Sequence, residues 1–191
     1  MVDLVVLQSL SYTAGALSVI LGVIYYMINL RETTRNRRVT LTNALMQQFI
    51  TEETNKQWIE IMQAEWEDFD DFIKKYDSTV NPDFYAKRDL FCRSYDLFGY
   101  QYVSGYLDMG TLWIVVNEGV TETWRKYGPI YEEYKARGAY PPHVFEYFEY
   151  LAYEMSKMMA KDDPTFEMPS IFRSVEYYRE FKRRKHPFES P

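Results

Sequence analysis

Cysteine and histidine are almost missing: among 191 residues there are one Cys and two His. A single cysteine excludes an intramolecular disulfide and fits a reducing compartment. Cys92 lies in the apolar run LFCRSYDLF with neither His143 nor His186 local to it, so it reads as a buried structural thiol, not an activated nucleophile. The scarcity of His also weighs against a metal centre. His143, Glu146, Glu149 and Glu154 share one helical segment, but a di-iron bundle needs two Glu-x-x-His pairs and two further Glu from separate helices. The chain offers one such pair, in reversed order, so these four are expected on the surface and no metal is expected. There is no Walker loop, GxGxxG, CxxC, HExxH or GxSxG motif, and no internal repeat. These absences predict a non-enzymatic protein without a cofactor.

The most informative absence is of charge. From Leu4 to Leu30, LVVLQSLSYTAGALSVILGVIYYMINL, 27 residues pass without Asp, Glu, Lys, Arg or His. As a helix they measure about 40 Å against about 30 Å of hydrocarbon, long enough to span a bilayer with tilt. A cleaved signal peptide is disfavoured: Met1 to Asp3 carry no positive charge, the run is too long, and no small-x-small site precedes the Arg cluster. Arg31, Arg35, Arg37 and Arg38 follow the span directly and form a basic collar. The positive-inside rule then predicts an N-out, C-in single-pass protein of the cell membrane with its bulk in the cytoplasm.

Within the span, Gln8, Ser11, Gly15, Ser18, Gly22, Tyr25 and Asn29 recur at alternating steps of three and four, which places them on one helix face. That face is small and polar where the others are Leu, Val and Ile. Helices associate in lipid through close backbone approach and interhelical hydrogen bonds, so the stripe is read as a self-assembly face, and a 3.5-residue period favours a left-handed bundle. The alternative is a homo-oligomeric pore lined by the same residues, with Arg31 and Arg35 at an anion-favouring mouth. Against a pore, the polar face is narrow, lacks an ionisable residue and ends in bulky Tyr25.

Proline and glycine are absent from Arg31 to Ile50, so the membrane helix is expected to continue as one rod to about Ile50, with Leu41, Leu45 and Phe49 as its apolar stripe. Further on, charge is segregated: residues 31–50 carry net +3, residues 51–160 net −9 and residues 161–191 net +1. An acidic body on a basic collar suits contact with anionic lipid headgroups and a possible cytoplasmic protein partner, and argues against nucleic acid. Phe, Tyr and Trp make up 18% of the chain, ample for a helical core.

The breakers divide this body. Thr51 to Tyr76 reads as one amphipathic helix through Trp58, Ile61, Met62, Trp66, Phe69, Phe72 and Ile73. Its acidic run Glu65, Glu67, Asp68, Asp70, Asp71 lacks the Gly-bearing turn of a calcium loop and is expected to be a solvated face. Asn81 and Pro82 mark a helix start, and that helix, to about Tyr106, carries more apolar surface than one stripe needs, which makes it central. Asp108 is expected to cap a helix from Met109 to about Tyr127, stopped by Gly128 and Pro129. Shorter helices are expected from Pro129 to Arg137 and from Pro141 through HVFEYFEYLAYEMSKMM, the latter burying Phe145, Phe148, Leu151, Ala152, Met155 and Met159. A Pro-punctuated tail from 161 holds one helix, Ser170 to Lys185, with Ile171, Val175, Tyr178 and Phe181 on one side and Lys182, Arg183, Arg184 and Lys185 at its end. Packing of its apolar side, on the body or on a neighbouring subunit, is favoured for that helix; contact of its basic end with an anionic membrane is the alternative.

The layout resembles a group of archaeal and bacterial proteins known as a domain of unknown function, with one N-terminal span, an Arg-bearing exit and a helical cytoplasmic domain. The stretches that carry the likeness are NLRETTRNRR, QWIEIMQAEWEDFDDFIKKY (Gln57 to Tyr76), the Gly128-Pro129 break after Trp124, and Phe145 to Tyr150 before Leu151. The resemblance implies an all-α fold, a single N-terminal transmembrane helix (residues 1–30) followed by a cytoplasmic helical bundle (31–160), with the tail (161–191) particular to this chain. It implies no activity and no functional residues.

Overall fold

The computed structural model describes residues 4–185, without the side chains of 6, 7, 9, 38, 46, 48 and 185. The side chains of Arg38 and Lys185, and all of His186, therefore lie outside the described residues. Eight helices and no strand are found among them: α1 (Leu4–Phe49), α2 (Glu52–Gln63), α3 (Phe69–Tyr76), α4 (Pro82–Val103), α5 (Met109–Val116), α6 (Gly119–Ala136), α7 (Glu146–Asp162) and α8 (Val175–Lys185). The all-α expectation holds. The chain divides into two compact units, one up to Asn43 and one from Ala44, and the division falls inside α1.

The first unit is helix alone. α1 runs 46 residues without a break, as the lack of Pro and Gly after residue 30 predicts, and its part in this unit, residues 4–43, is about 60 Å long at about 1.5 Å per residue. It is long and apolar enough to cross a membrane, and none of its apolar window is buried.

The second unit is a bundle centred on α4. α7 packs most extensively on α4 and then on α6, while α2 and α3 lie against α4. The centrality expected of α4 from its excess of apolar residues is found, although Leu90 and Leu97 remain exposed. Its start is as the sequence indicates: the Asn81 side chain accepts the Phe84 N–H at 3.1 Å and Pro82 occupies the first turn. Close approach of α4 and α7 depends on Gly99, where a Cβ would collide with the backbone carbonyl of Tyr147. The last two turns of α1 also belong to this unit: Leu45 is buried and the Phe49 ring meets Phe98 edge-on at 4.9 Å.

Four boundaries differ from expectation. Thr51 to Tyr76 is two helices, not one. Ala64 turns extended, and the carbonyls at the end of α2 are taken by α6: Lys126 Nζ donates to Met62 and Ala64 (2.6 Å to the latter), and the Tyr127 hydroxyl donates to Ile61. Asp68 then caps α3 by accepting the Asp71 N–H at 2.8 Å. Gly128 and Pro129 do not end a helix but lie within α6. Pro129 is on the exposed side, where water can satisfy the carbonyl it leaves unpaired, and Gly128 is small because a Cβ there would press on Ile171 and the Trp124 ring. The break comes earlier, at Asn117, whose φ of 36° separates α5 from α6. Pro141 and Pro142 precede turns, and α7 starts only at Glu146, after Phe145 at φ 59°. Its first turn is capped by Asp96 of α4, which accepts the Phe148 N–H at 3.0 Å. The tail helix starts at Val175, not Ser170.

Candidate functional site

The continuous α1 places Gln8, Ser11, Gly15, Ser18, Gly22, Tyr25 and Asn29 along one side of a single helix, drifting by about 20° per heptad as a straight helix requires. All seven are exposed. Nothing lies within 4 Å of where a Cβ on Gly15 or Gly22 would stand, so a second helix could approach the backbone there. Ser18 donates its hydroxyl to the Ala14 carbonyl at 2.8 Å, and Gln8 donates its amide to the Tyr12 hydroxyl at 3.3 Å. These internal bonds lower the cost of carrying polar groups in hydrocarbon. Arg31, Arg35 and Arg37 are exposed over the two turns that directly follow the apolar segment, and Thr34 donates to the Leu30 carbonyl at 2.9 Å between them.

In the second unit the tail helix is docked. Tyr178 and Phe181 of α8 are buried with Val103, Tyr150 and Tyr153, and the rings of Tyr153 and Tyr178 stack at 3.9 Å. Polar contacts reinforce this. The Tyr178 hydroxyl accepts the Arg173 N–H at 2.9 Å and donates to Glu149 Oε1 at 2.7 Å, while Arg173 Nε stands 3.2 Å from the same oxygen. Burial pushes the Glu149 carboxyl above the usual carboxylate range, against the lowering influence of Tyr178 and Arg173. Lys182, Arg183 and Arg184 remain exposed at the end of the docked helix; Val175, expected on its buried side, is exposed as well.

Glu149 is a correction. Expected at the surface with His143, Glu146 and Glu154, it is 2% exposed, and no group of three metal-binding side chains occurs among the described residues. His143 itself is exposed. It lines a cleft of about 600 Å³ with Tyr85, Asp89, Arg93, Asp96 and Tyr140. The acidic run is solvated at Glu65, Glu67, Asp68 and Asp70, while Asp71 is half-buried and accepts from Lys75 at 2.7 Å. Cys92 is buried and free, and burial pushes its thiol up to about 12. Arg88, fully buried among aromatic rings, was not distinguishable by sequence: an Arg one position after a Lys on a helix gives no sign of which way it points.

Comparison with protein-family models, with curated proteins and with solved structures found no match. Function must therefore be argued from the geometry of the chain alone.

Proposed function

We propose that this protein is a non-enzymatic, membrane-anchored scaffold or adaptor that self-assembles through the polar face of its N-terminal helix. One observation carries the reading: the apolar segment of α1, exposed at every described side chain over residues 4–30, bears small and polar residues on one side, with open space over Gly15 and Gly22. Removing the apolar sides from water calls for lipid, and close helix contact in lipid calls for small residues. In this reading α1 crosses the cell membrane with its N-terminus outside. The collar Arg31, Arg35, Arg37 and Arg38 meets anionic headgroups, and the acidic helical body in the cytoplasm presents its surface to protein partners. The exposed Lys182, Arg183 and Arg184 at the end of α8 form a second basic patch available to anionic lipid.

The test is the mass of the intact protein in lipid nanodiscs, for the natural sequence and for a variant carrying Gly15→Leu, Ser18→Leu and Gly22→Leu together. A multimer that falls to a smaller species in the variant supports the reading. A monomer, or a mass unchanged by the three substitutions, overturns it. Conductance steps in planar bilayers that change in Ser18 and Asn29 variants would replace the scaffold with a pore.

A further inference from the structure

The cleft of about 600 Å³ in the second unit has the volume of a small-molecule site. One wall is a single stripe of α4, in which Tyr85, Asp89, Arg93, Asp96 and Tyr100 follow one another at steps of four, four, three and four. The other wall comes from residues 140–147, and it is pinned in several places. Tyr140 meets Tyr85 hydroxyl to hydroxyl at 3.4 Å and stacks on Tyr134 at 4.7 Å, while the Tyr147 ring stands edge-on to Tyr100 at 5.5 Å. Phe145, at φ 59°, packs on Tyr131 at 4.4 Å. The cleft is therefore formed before any ligand arrives, which removes an ordering cost from binding.

Charge divides the cleft along its length. Toward Tyr85, Arg93 Nε donates to Asp89 at 2.5 Å, and the buried Arg88 already lies 4.9 Å from the Tyr85 ring. Negative charge and ring face are both engaged there. Asp96 is about three turns further along α4 and one turn from Tyr100. Its Oδ1 accepts the Phe148 N–H at 3.0 Å, which fixes the carboxyl in place, and Glu146 bears on it as a like charge. The cation that acts on Asp96, Lys135, is held by Glu132 at 2.7 Å. Burial keeps the Asp96 carboxyl above the ordinary range, against the lowering influence of the Phe148 and Tyr147 N–H groups, and a cation beside it would offset that burial.

We propose that this cleft binds a small organic cation, a protonated amine with an apolar body, whose ammonium donates to Asp96 beside the Tyr100 and Tyr147 rings while the body lies along Leu97 and Val144. The carboxylate supplies the opposite charge and the acceptor that an ammonium requires, and aromatic rings add to the attraction of a cation. An anion would meet Asp96 and Glu146 at this end of the cleft. The site takes no part in the membrane assembly proposed above.

The test uses the full-length protein in nanodiscs of zwitterionic lipid at pH 8, where an ordinary imidazole is neutral and an alkylamine still charged. Phenylethylammonium should raise the thermal midpoint saturably, as a ligand of the folded state does. Phenylpropionate and phenylethanol, close to it in size but anionic and neutral, should not. Asp96→Asn keeps an acceptor for the Phe148 N–H and removes the charge; it should weaken the apparent affinity for the amine about tenfold or more. Leu97→Arg, at a position 51% exposed, brings a cation into the cleft and should weaken it likewise, which decides the matter should Asp96→Asn not fold. Crystals of the natural sequence soaked in bromophenylethylammonium should show an anomalous peak between α4 and residues 140–147. An equal rise with phenylpropionate, an affinity unchanged in the variants, or no peak in the cleft overturns the proposal.

Discussion

The hydroxyl of Tyr178, in the tail helix, donates to Glu149 of α7 at 2.7 Å with both side chains buried, and this one bond joins the last described element to the centre of the bundle. Glu149 Oε2 has no hydrogen-bond partner among the described residues, so the charged form is poorly served even with Arg173 close to the other oxygen. Arg173 is itself held above its ordinary pKa in part by Glu149, which shows mutual attraction; a third of its side chain is exposed, however, and solvent screens what it returns to the carboxylate.

A pH dependence follows from burial raising Glu149. Because the folded pKa exceeds the unfolded one, the stability from this group is complete below the ordinary Glu value and is lost as pH rises through the folded pKa. The difference in unfolding free energy between the natural chain and Glu149→Gln should therefore shift against the natural chain with rising pH in that window, with a slope of at most about 1.4 kcal/mol per pH unit. Urea denaturation of both proteins across that pH range measures it; a difference that does not change with pH refutes it.

Gly99→Ala should destabilise the bundle by about 3 kcal/mol, since the added methyl meets the Tyr147 carbonyl and α4 and α7 must separate. Gly105→Ala, at φ +72° with nothing within 4 Å of its Cβ, isolates the cost of backbone conformation alone and should be milder. Chemical denaturation of the pair compares crowding with conformation.

Cys92 should resist thiol reagents at pH 8. With burial lifting its pKa to about 12, its thiolate fraction is about a thousandfold below that of a free cysteine, and the side chain is fully enclosed. Labelling followed by mass spectrometry should be complete within minutes in denaturant and negligible over the same time in the folded protein.

Lys126→Met should cost about 1–3 kcal/mol by leaving the Met62 and Ala64 carbonyls without their donor, and should loosen the end of α2 selectively. Amide hydrogen exchange faster in residues 58–64 than in α7 would show it; uniform acceleration would refute a local role.

Where a boundary is written in neighbouring residues, it was legible in the sequence. Asn81 with Pro82, Asp108 before Met109, and Gly138 past the end of α6 each act within one turn. The uncharged run and the Pro-free stretch after it likewise fix the whole of α1. Illegible were the features made by residues far apart. The C-terminal end of α2 and the start of α7 are capped by Lys126, Tyr127 and Asp96 from other helices. Pro129 reads as a stop because nothing local tells that the carbonyl it leaves unpaired, one turn earlier, faces water. Glu149 and Arg88 were missed for the same reason: a charged residue on a helix is assigned to the surface unless its partner, here Tyr178 or a shell of rings, is already known.

The cap on α2 also imposes an order on biosynthesis. The groups that terminate this helix are 62 to 66 residues further along the chain. At about 5–20 residues per second, the end of α2 is synthesised roughly 3–13 s before Lys126 and Tyr127 are made. During that interval the carbonyls of Ile61, Met62 and Ala64 depend on water, and the apolar face of Ile61 and Trp66 lacks the α6 surface that later covers it. The nascent body therefore passes through a stage at which its earliest helix is unfinished and open to chaperones.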